Sequence, residues 1–346
     1  MKSRREPNDL KSEISDLRFE KFEKFENLKF EMRSRLYLST LAIFLLAAPF
    51  LFTARYSQHV LILVLLYVAL GSAWNILGGF AGQLSLGHAA FFGIGAYSAA
   101  VIASKTALSP WWAIIAGPIV VLPIALVVGW ICFRLRGPYF TLATIAVGEV
   151  VRLVALNWSE LTGGAVGVVI RPSGFSGTSK VPYYYIVLVV AVATVGLCQL
   201  ISRSKIGYYL MAIREDQETA ESIGVDTTKY KLIALAISAS LTAVAGAFYA
   251  NYFLFVDPTI VLPLALSVEI VLMAIVGGLG TVAGPVLGAV LLKLSSEIFR
   301  NEFAQANLLI YGALLILIIL FMPDGLTGGF RRVAALFGRK PRRVSA

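Results

Sequence analysis

Charge is what this sequence is shortest of. Only 14% of its 346 residues are Asp, Glu, Lys or Arg, whereas soluble domains carry roughly 25%. With 58% hydrophobic residues, that shortage excludes an ordinary water-soluble fold and points to a polytopic membrane protein. Histidine occurs only at His59 and His88, with no metal or nucleophile signature around either, which argues against a membrane enzyme. The two cysteines, Cys132 and Cys198, lie in or beside apolar runs without metal-like spacing, so free thiols are expected and neither a disulfide nor a metal site. No G-x-x-x-x-G-K-[ST] occurs. A chain without that phosphate loop is not expected to hydrolyse ATP itself, and no cofactor is indicated.

The net charge is +10, and its placement decides what it means. Basic residues gather between Lys2 and Arg35, between Arg331 and Arg343, and in one interior polar stretch. That is the pattern of cytoplasmic loops, not of a groove for nucleic acid. Residues 1–35 interleave Lys and Glu with Phe19, Phe22, Phe25, Leu28 and Phe30, which fits either an interfacial helix or a disordered extension. This charged run is too long for the n-region of a signal peptide, so the apolar run after it is expected to be retained.

What remains is apolar. Spans of roughly 17 to 25 residues are expected at 36–52, 57–77, 88–104, 110–133, 139–157, 183–202, 232–255, 264–275, 282–298 and 308–322. The reading is all-α, with about ten transmembrane or partly re-entrant helices. The short, Gly- and Pro-bearing pieces are allowed to break only where protein or water satisfies the freed backbone. The expected organisation is a charged cytoplasmic extension (1–35), a membrane domain (36–325) and a basic tail (326–346). With the N-terminus inside, ten crossings put Arg134, Arg136, residues 203–231 and the tail on the cytoplasmic side, as the positive-inside rule requires.

The polar stretch 203–231, RSKIGYYLMAIREDQETAESIGVDTTKYK, is too long and too charged for a turn between two membrane helices. Tyr208 to Ser222 lacks Pro and Gly, so a single short helix is expected there, with an apolar side made of Tyr209, Met211, Ala212, Ile213, Ala220 and Ile223. Gly224 follows at the position of a left-handed C-cap. Asp226 or Thr227 is placed to cap the next helix.

Three other stretches carry polar groups at membrane depth. In GGFAGQLSLGHAAFFGIGAY, six glycines accompany Gln83, Ser85 and His88. The polar trio either lines a solute pathway or satisfies the backbone of a broken helix. Glu149 and Arg152, spaced i, i+3 in an apolar run, either pair on one helix face or serve gating and solute contact. Glu269 and Lys293 raise the same question on later spans. The turns ILGG at 76–79 and IVGG at 275–278 resemble each other, a similarity that two independent tight helix ends would also produce.

In order along the chain, GQLSLGHAAFFGIGAY, RLRGPYFTLATIAVGEVVRL with LTGG, ETAESIG and GGLGTVAGPVLGA resemble the LivM-type membrane permease subunit of branched-chain amino acid ABC importers. The likeness runs from about Leu66 to Leu292. Glu218, Ala220 and Gly224 resemble the Glu-Ala-Ala, three residues, Gly loop that docks on an ATPase, with Thr219 in place of the first Ala.

The resemblance implies a type II-like importer permease in the cytoplasmic (inner) membrane, with Gln83, Ser85, His88 and Glu149 as candidates for the pathway. It also implies several partners: a paralogous permease subunit, two cytoplasmic ATPase subunits, an extracytoplasmic solute-binding protein and an amino-acid substrate. A urea or short-amide permease is the nearest alternative. An ion-coupled secondary transporter, using Glu149 and Glu269, is the alternative from another class.

Overall fold

The computed structural model describes residues 39–40, 42–106, 108–171, 179–302, 312, 316, 320 and 325–329. Two compact units are separated at Ala54 and Arg55. In the first, a ten-residue apolar helix, α1, runs over Ala42–Leu51. The rest of the fold belongs to the second, and it is built almost wholly of helices because a helix closes its backbone hydrogen bonds within its own segment.

The second unit opens with α2 (Arg55–Asn75), which ends in a π-helical turn, Ile76–Phe80. After an irregular segment come α3 (His88–Lys105) and α4 (Ala113–Cys132), the latter led in by a 3-10 turn at Pro110–Trp112. Next are α5 (Pro138–Asn157), α6 (Ser159–Thr162), a two-residue strand β1 (Val168–Val169) and α7 (Val181–Ser202). The polar stretch forms α8 (Lys205–Glu215) and α9 (Gln217–Ser222). Then follow α10 (Thr227–Phe253), β2 (Phe255–Val256), α11 (Pro258–Val261), α12 (Leu264–Gly277) and α13 (Ala283–Glu302). β1 and β2 pair antiparallel, Val168 opposite Val256.

Two helices form the centre. α10 packs along α3, α4 and α2, while α2 also packs against α7, α12 and α13. The crossing of α3 and α10 is tight because glycine makes it so: a Cβ at Gly95 would lie on the Ala243 carbonyl, and one at Gly246 on the Phe92 carbonyl. Small residues allow this approach, which matters most where lipid supplies no hydrophobic drive between helices. α5 is different: only Phe140, Thr144 and Ala155 of its twenty residues are buried.

Six helical segments among the described residues are long and apolar enough to cross a membrane: Arg55–Phe80, Pro110–Cys132, Pro138–Asn157, Val181–Ser202, Thr227–Phe253 and Pro258–Gly277. The expectation of about ten is therefore met only as a multi-pass helical protein. Residues 88–104 do form α3, but it opens on His88 and closes on Lys105. All but the first residue of the expected span 282–298 lie in α13, which carries Lys293 and Glu297. The span expected at 36–52 is represented by the short α1. Residues 1–35, all but three positions of 308–322, and the tail from 330 onward lie outside the described residues.

Candidate coupling site and the broken helix beside it

The polar stretch does not fold as the single helix expected over 208–222. It breaks at Asp216, whose backbone is extended (φ −158°, ψ 113°) and whose side chain accepts from the Thr219 N–H at 2.7 Å as the N-cap of α9. An aspartate competes with the helix for backbone donors and so starts a new one as readily as it joins an old one. That N–H first of all holds the Asp216 carboxyl below the usual carboxylate range. Gly224 has φ +89° and Asp226 caps α10 by accepting from the Lys229 N–H at 3.0 Å. The buried stripe is Gly207, Leu210, Ile213 and Ala220. Ile223 and Tyr209, both expected on the apolar side, are 73% and 36% exposed instead, and Tyr208 is 65% exposed.

Each helix of the pair is tied to the membrane bundle. Leu210 belongs to the hydrophobic core with Ile76, Leu77, Phe80, Phe140 and Leu235. Lys231, fully buried at the start of α10, donates to Gln217 Oε1 at 3.2 Å and lies 5.1 Å from the Phe133 ring centre. Thr227 Oγ1 donates to Glu221 at 2.6 Å. That bond, ahead of one from Gln217, draws the Glu221 carboxyl below its ordinary range. Glu218 accepts from Arg136, in the turn between α4 and α5, at 2.6 Å. Arg134 lies over Trp130 in the same turn, so both arginines stand at the end of the bundle that carries α8 and α9.

A Cβ at Gly224 would meet nothing within 4 Å, so its glycine is required by the backbone and not by space. Gly224→Val forces a β-branched residue into the left-handed region, at about 1–3 kcal/mol of local strain. Under the docking role that the resemblance implies, reduced co-purification with ATPase subunits and normal membrane insertion are expected. Wild-type recovery and coupled hydrolysis would count against a docking role.

Beside this pair the chain re-enters the bundle. After Phe80 the segment 81–87 is neither helix nor strand, and side chains from other elements satisfy its backbone. Trp74 Nε1 donates to the Ser85 carbonyl at 2.8 Å, Thr141 Oγ1 to the Leu84 carbonyl at 2.8 Å, and the Leu86 N–H donates to Thr144 Oγ1 at 3.0 Å. At the start of α3 the Ala89 N–H donates to Ser267 Oγ at 2.8 Å. His88 bridges Ser85 (3.2 Å) and Ser238 (2.8 Å), and Ser238 donates on to the Ala73 carbonyl. Ser238 lies 11 residues into α10, about 16 Å at 1.5 Å per residue, so the break reaches well into the bundle.

The predicted site residues thus separate. Ser85 and His88 are buried, at 1% and 0% exposure, in this network. Gln83 is half-buried and lines an open groove with Gly82, Leu84, Pro138, Thr141 and Leu142. Glu149 pairs with Arg152 Nη2 at 2.5 Å on the open side of α5. Glu269 pairs with Lys293 at 2.6 Å. Sequence reasoning missed Arg136, Lys231, Asn75, Ser238 and Ser267. Asn75, a lone amide in an apolar run, was the one detectable signal, since buried polar groups of that kind need partners.

Helices long and apolar enough to cross a bilayer, a helix broken inside the bundle and a polar helix pair anchored at one end of it make up a multi-pass membrane protein. The sequence pattern of the family described as "Branched-chain amino acid transport system / permease component" matches residues 57–319, and the chain belongs to that family. It is 29% identical over 322 residues to the high-affinity branched-chain amino acid transport system permease protein LivM of Salmonella typhimurium, covering 85% of this chain and 75% of the relative. LivM of Escherichia coli K12 is 28% identical over the same shares. LivH of Escherichia coli K12, also a permease protein of such a system, is 26% identical over 76% of this chain and 91% of its own.

Proposed function

We propose that this chain is the permease subunit of an ATP-driven importer that moves leucine, isoleucine, valine or similar amino acids across the inner membrane. It works with a paralogous permease subunit, two cytoplasmic ATPase subunits and an extracytoplasmic binding protein. The observation that carries the reading is the helix pair α8–α9, which is anchored to α2, α4, α5 and α10 through Leu210, Arg136, Thr227 and Lys231 yet presents Tyr208 and Ile223 outward. An ion-coupled carrier has no use for such a surface. An ATP-driven chain without a phosphate loop takes its energy from a partner, and this is where it would enter.

In this reading both termini and residues 203–231 are cytoplasmic, and the fold is of the type II-like importer kind. Glu218, Ala220 and Gly224 form the ATPase-coupling loop, with Ala220 buried as its packing point. The pathway runs along the open face of α5, where Glu149 with Arg152, and Gln83 in the neighbouring groove, supply polar groups. An ion pair on the open face of this helix is costly against lipid, so a partner permease or water is its natural surrounding. Ser85 and His88 support that wall from behind by holding the break in place. ATP binding would draw the ATPases together, and the pull on α8–α9 would shift the bundle between inward- and outward-open states.

Vesicles reconstituted with the full complex test the proposal. Leucine uptake is expected to require ATP and the binding protein. An impermeant thiol reagent should reach Thr219→Cys only from the ATPase side. Uptake by this chain alone down an ion gradient overturns the importer reading, and uptake of urea without leucine overturns the substrate.

A further inference from the structure

The two glycine turns, at 76–79 and 275–278, meet at the end of the bundle nearest α8, and one side chain of α8 enters between them. Arg214 Nη1 donates to the Gly79 carbonyl at 3.0 Å. A Cβ at Gly82 would stand 3.0 Å from Arg214 Cγ, and one at Gly280 would fall on Arg214 Nη1 itself. Gly82 and Gly280 also have φ of +67° and +71°, so their glycines are favoured twice, by backbone and by space. Buried Asn75 binds the turns to each other: its Oδ1 accepts from the Gly280 N–H at 3.1 Å and its Nδ2 donates to the Thr281 carbonyl at 3.0 Å.

We infer that Arg214 is the positioning residue through which the coupling pair α8–α9 moves the ends of α2 and α12 together. This rests on the reading of α8–α9 as the coupling site. Arg214 makes no ion pair among the described residues; its cation instead faces the carbonyl end of α2 and the turn that follows α12, where the helix dipoles favour positive charge. Arg214 is exposed over the rest of its side chain, but its guanidinium sits against the backbone of both turns, so a displacement of α8 that carries it bears on Gly79 and Gly280 directly. From Gly79 the chain runs directly into 81–87, so a displacement of α8 reaches Gln83 and Leu84 in the groove and, at the far end, Ser85 and His88. The second contact, at Gly280, passes the same displacement to the α12–α13 turn.

The test uses the complete complex in vesicles, carrying Leu84→Cys as a reporter of the broken segment. Leu84 is 40% exposed, while the native Cys132 and Cys198 are buried and contribute little background. Labelling by an impermeant maleimide is compared without nucleotide and with ATP and vanadate. With Arg214 present, nucleotide is expected to change the labelling rate about fivefold or more, the lower range of ordinary site-to-site coupling. Arg214→Gln and Gly280→Ala should each abolish that response while the ATPases still co-purify, and Arg214→Lys, which retains a donor and a charge, should restore part of it.

Combining Arg214→Gln with Gly280→Ala should do no more than either alone. Should Arg214→Gln fail to assemble, Arg214→Lys and Gly280→Ala carry the comparison. An unchanged response in Arg214→Gln, or no response with Arg214 in place, overturns the proposal. Leucine uptake is followed in the same vesicles. Its absence beside an intact labelling response strikes the substrate reading and leaves the Arg214 link standing.

Discussion

Lys293→Met is expected to destabilise the chain by up to about 3 kcal/mol, short of the roughly 3–5 kcal/mol of a fully buried ion pair because this one is only partly buried. Lys293 Nζ on α13 lies 2.6 Å from Glu269 Oε1 on α12 and 3.5 Å from the centre of the Tyr67 ring on α2. The Tyr67 hydroxyl donates to the other carboxylate oxygen at 3.0 Å. Three helices are therefore stapled by one cation, one anion and one phenol, with Lys293 only 12% and Glu269 27% exposed. Removing the ammonium leaves a carboxylate without a counter-charge among apolar helices, and the desolvation that the pair offset is then uncompensated.

The double variant Lys293→Met, Glu269→Met should recover most of the loss, because replacing a whole buried pair by apolar groups is often neutral or stabilising. Titration of the folded fraction with a denaturing detergent measures all four forms, and the cycle isolates the pair from packing changes. If the double variant is no more stable than the single one, the staple is not electrostatic.

Much of this architecture was legible because a membrane helix announces itself by length and composition. α4, α5 and α7 fall within three residues of their expected ends. What the sequence hides is partnership at a distance. Ser238 and Ser267 look like any serine on an apolar helix, and their partners, His88 and the Ala89 N–H, are 150 and 178 residues away. Arg136 and Glu218 are 82 apart. Glu149 and Arg152, by contrast, were readable as a pair because i, i+3 spacing brings side chains together on any helix.

The split between α8 and α9 was missed for a local reason. Freedom from Pro and Gly does not guarantee an unbroken helix, because Asp216 breaks it with its own carboxylate. Ile223 then points outward, since α9 starts with a fresh phase. For the candidate pathway the composition of 78–97 allowed either close helix packing or a broken helix. It did not show that Ser85 and His88 would be buried by the repair while Gln83 stayed half-open.

Gly246→Val is expected to cost at least as much as ordinary overpacking, about 1–3 kcal/mol, and to abolish transport even where the chain still inserts. A side chain at Gly246 has only the backbone of α3 to push against, since its Cβ would lie on the Phe92 carbonyl and within 3.1 Å of the Ala96 nitrogen. Backbone cannot rotate away as a flexible side chain can, so α3 must leave α10. His88 is one helical turn before Phe92, and Ser238 about two turns before Gly246. Separating the helices at this crossing therefore lengthens the 2.8 Å bond between His88 and Ser238 and loosens the segment that carries Gln83.

Gly95→Val, on the facing side of the same crossing, should behave alike, because its Cβ would meet the Ala243 carbonyl. Gly196 in α7 has nothing within 4 Å of its Cβ position, so Gly196→Ala should fold and transport normally, with the helix favoured by roughly 0.8–1 kcal/mol of intrinsic propensity. Thermal stability and leucine uptake measured on the three variants separate a crossing that positions the broken helix from a general intolerance of added bulk. Normal uptake in Gly246→Val, or equal losses in all three, would show that the close approach of α3 and α10 does not hold the pathway in place.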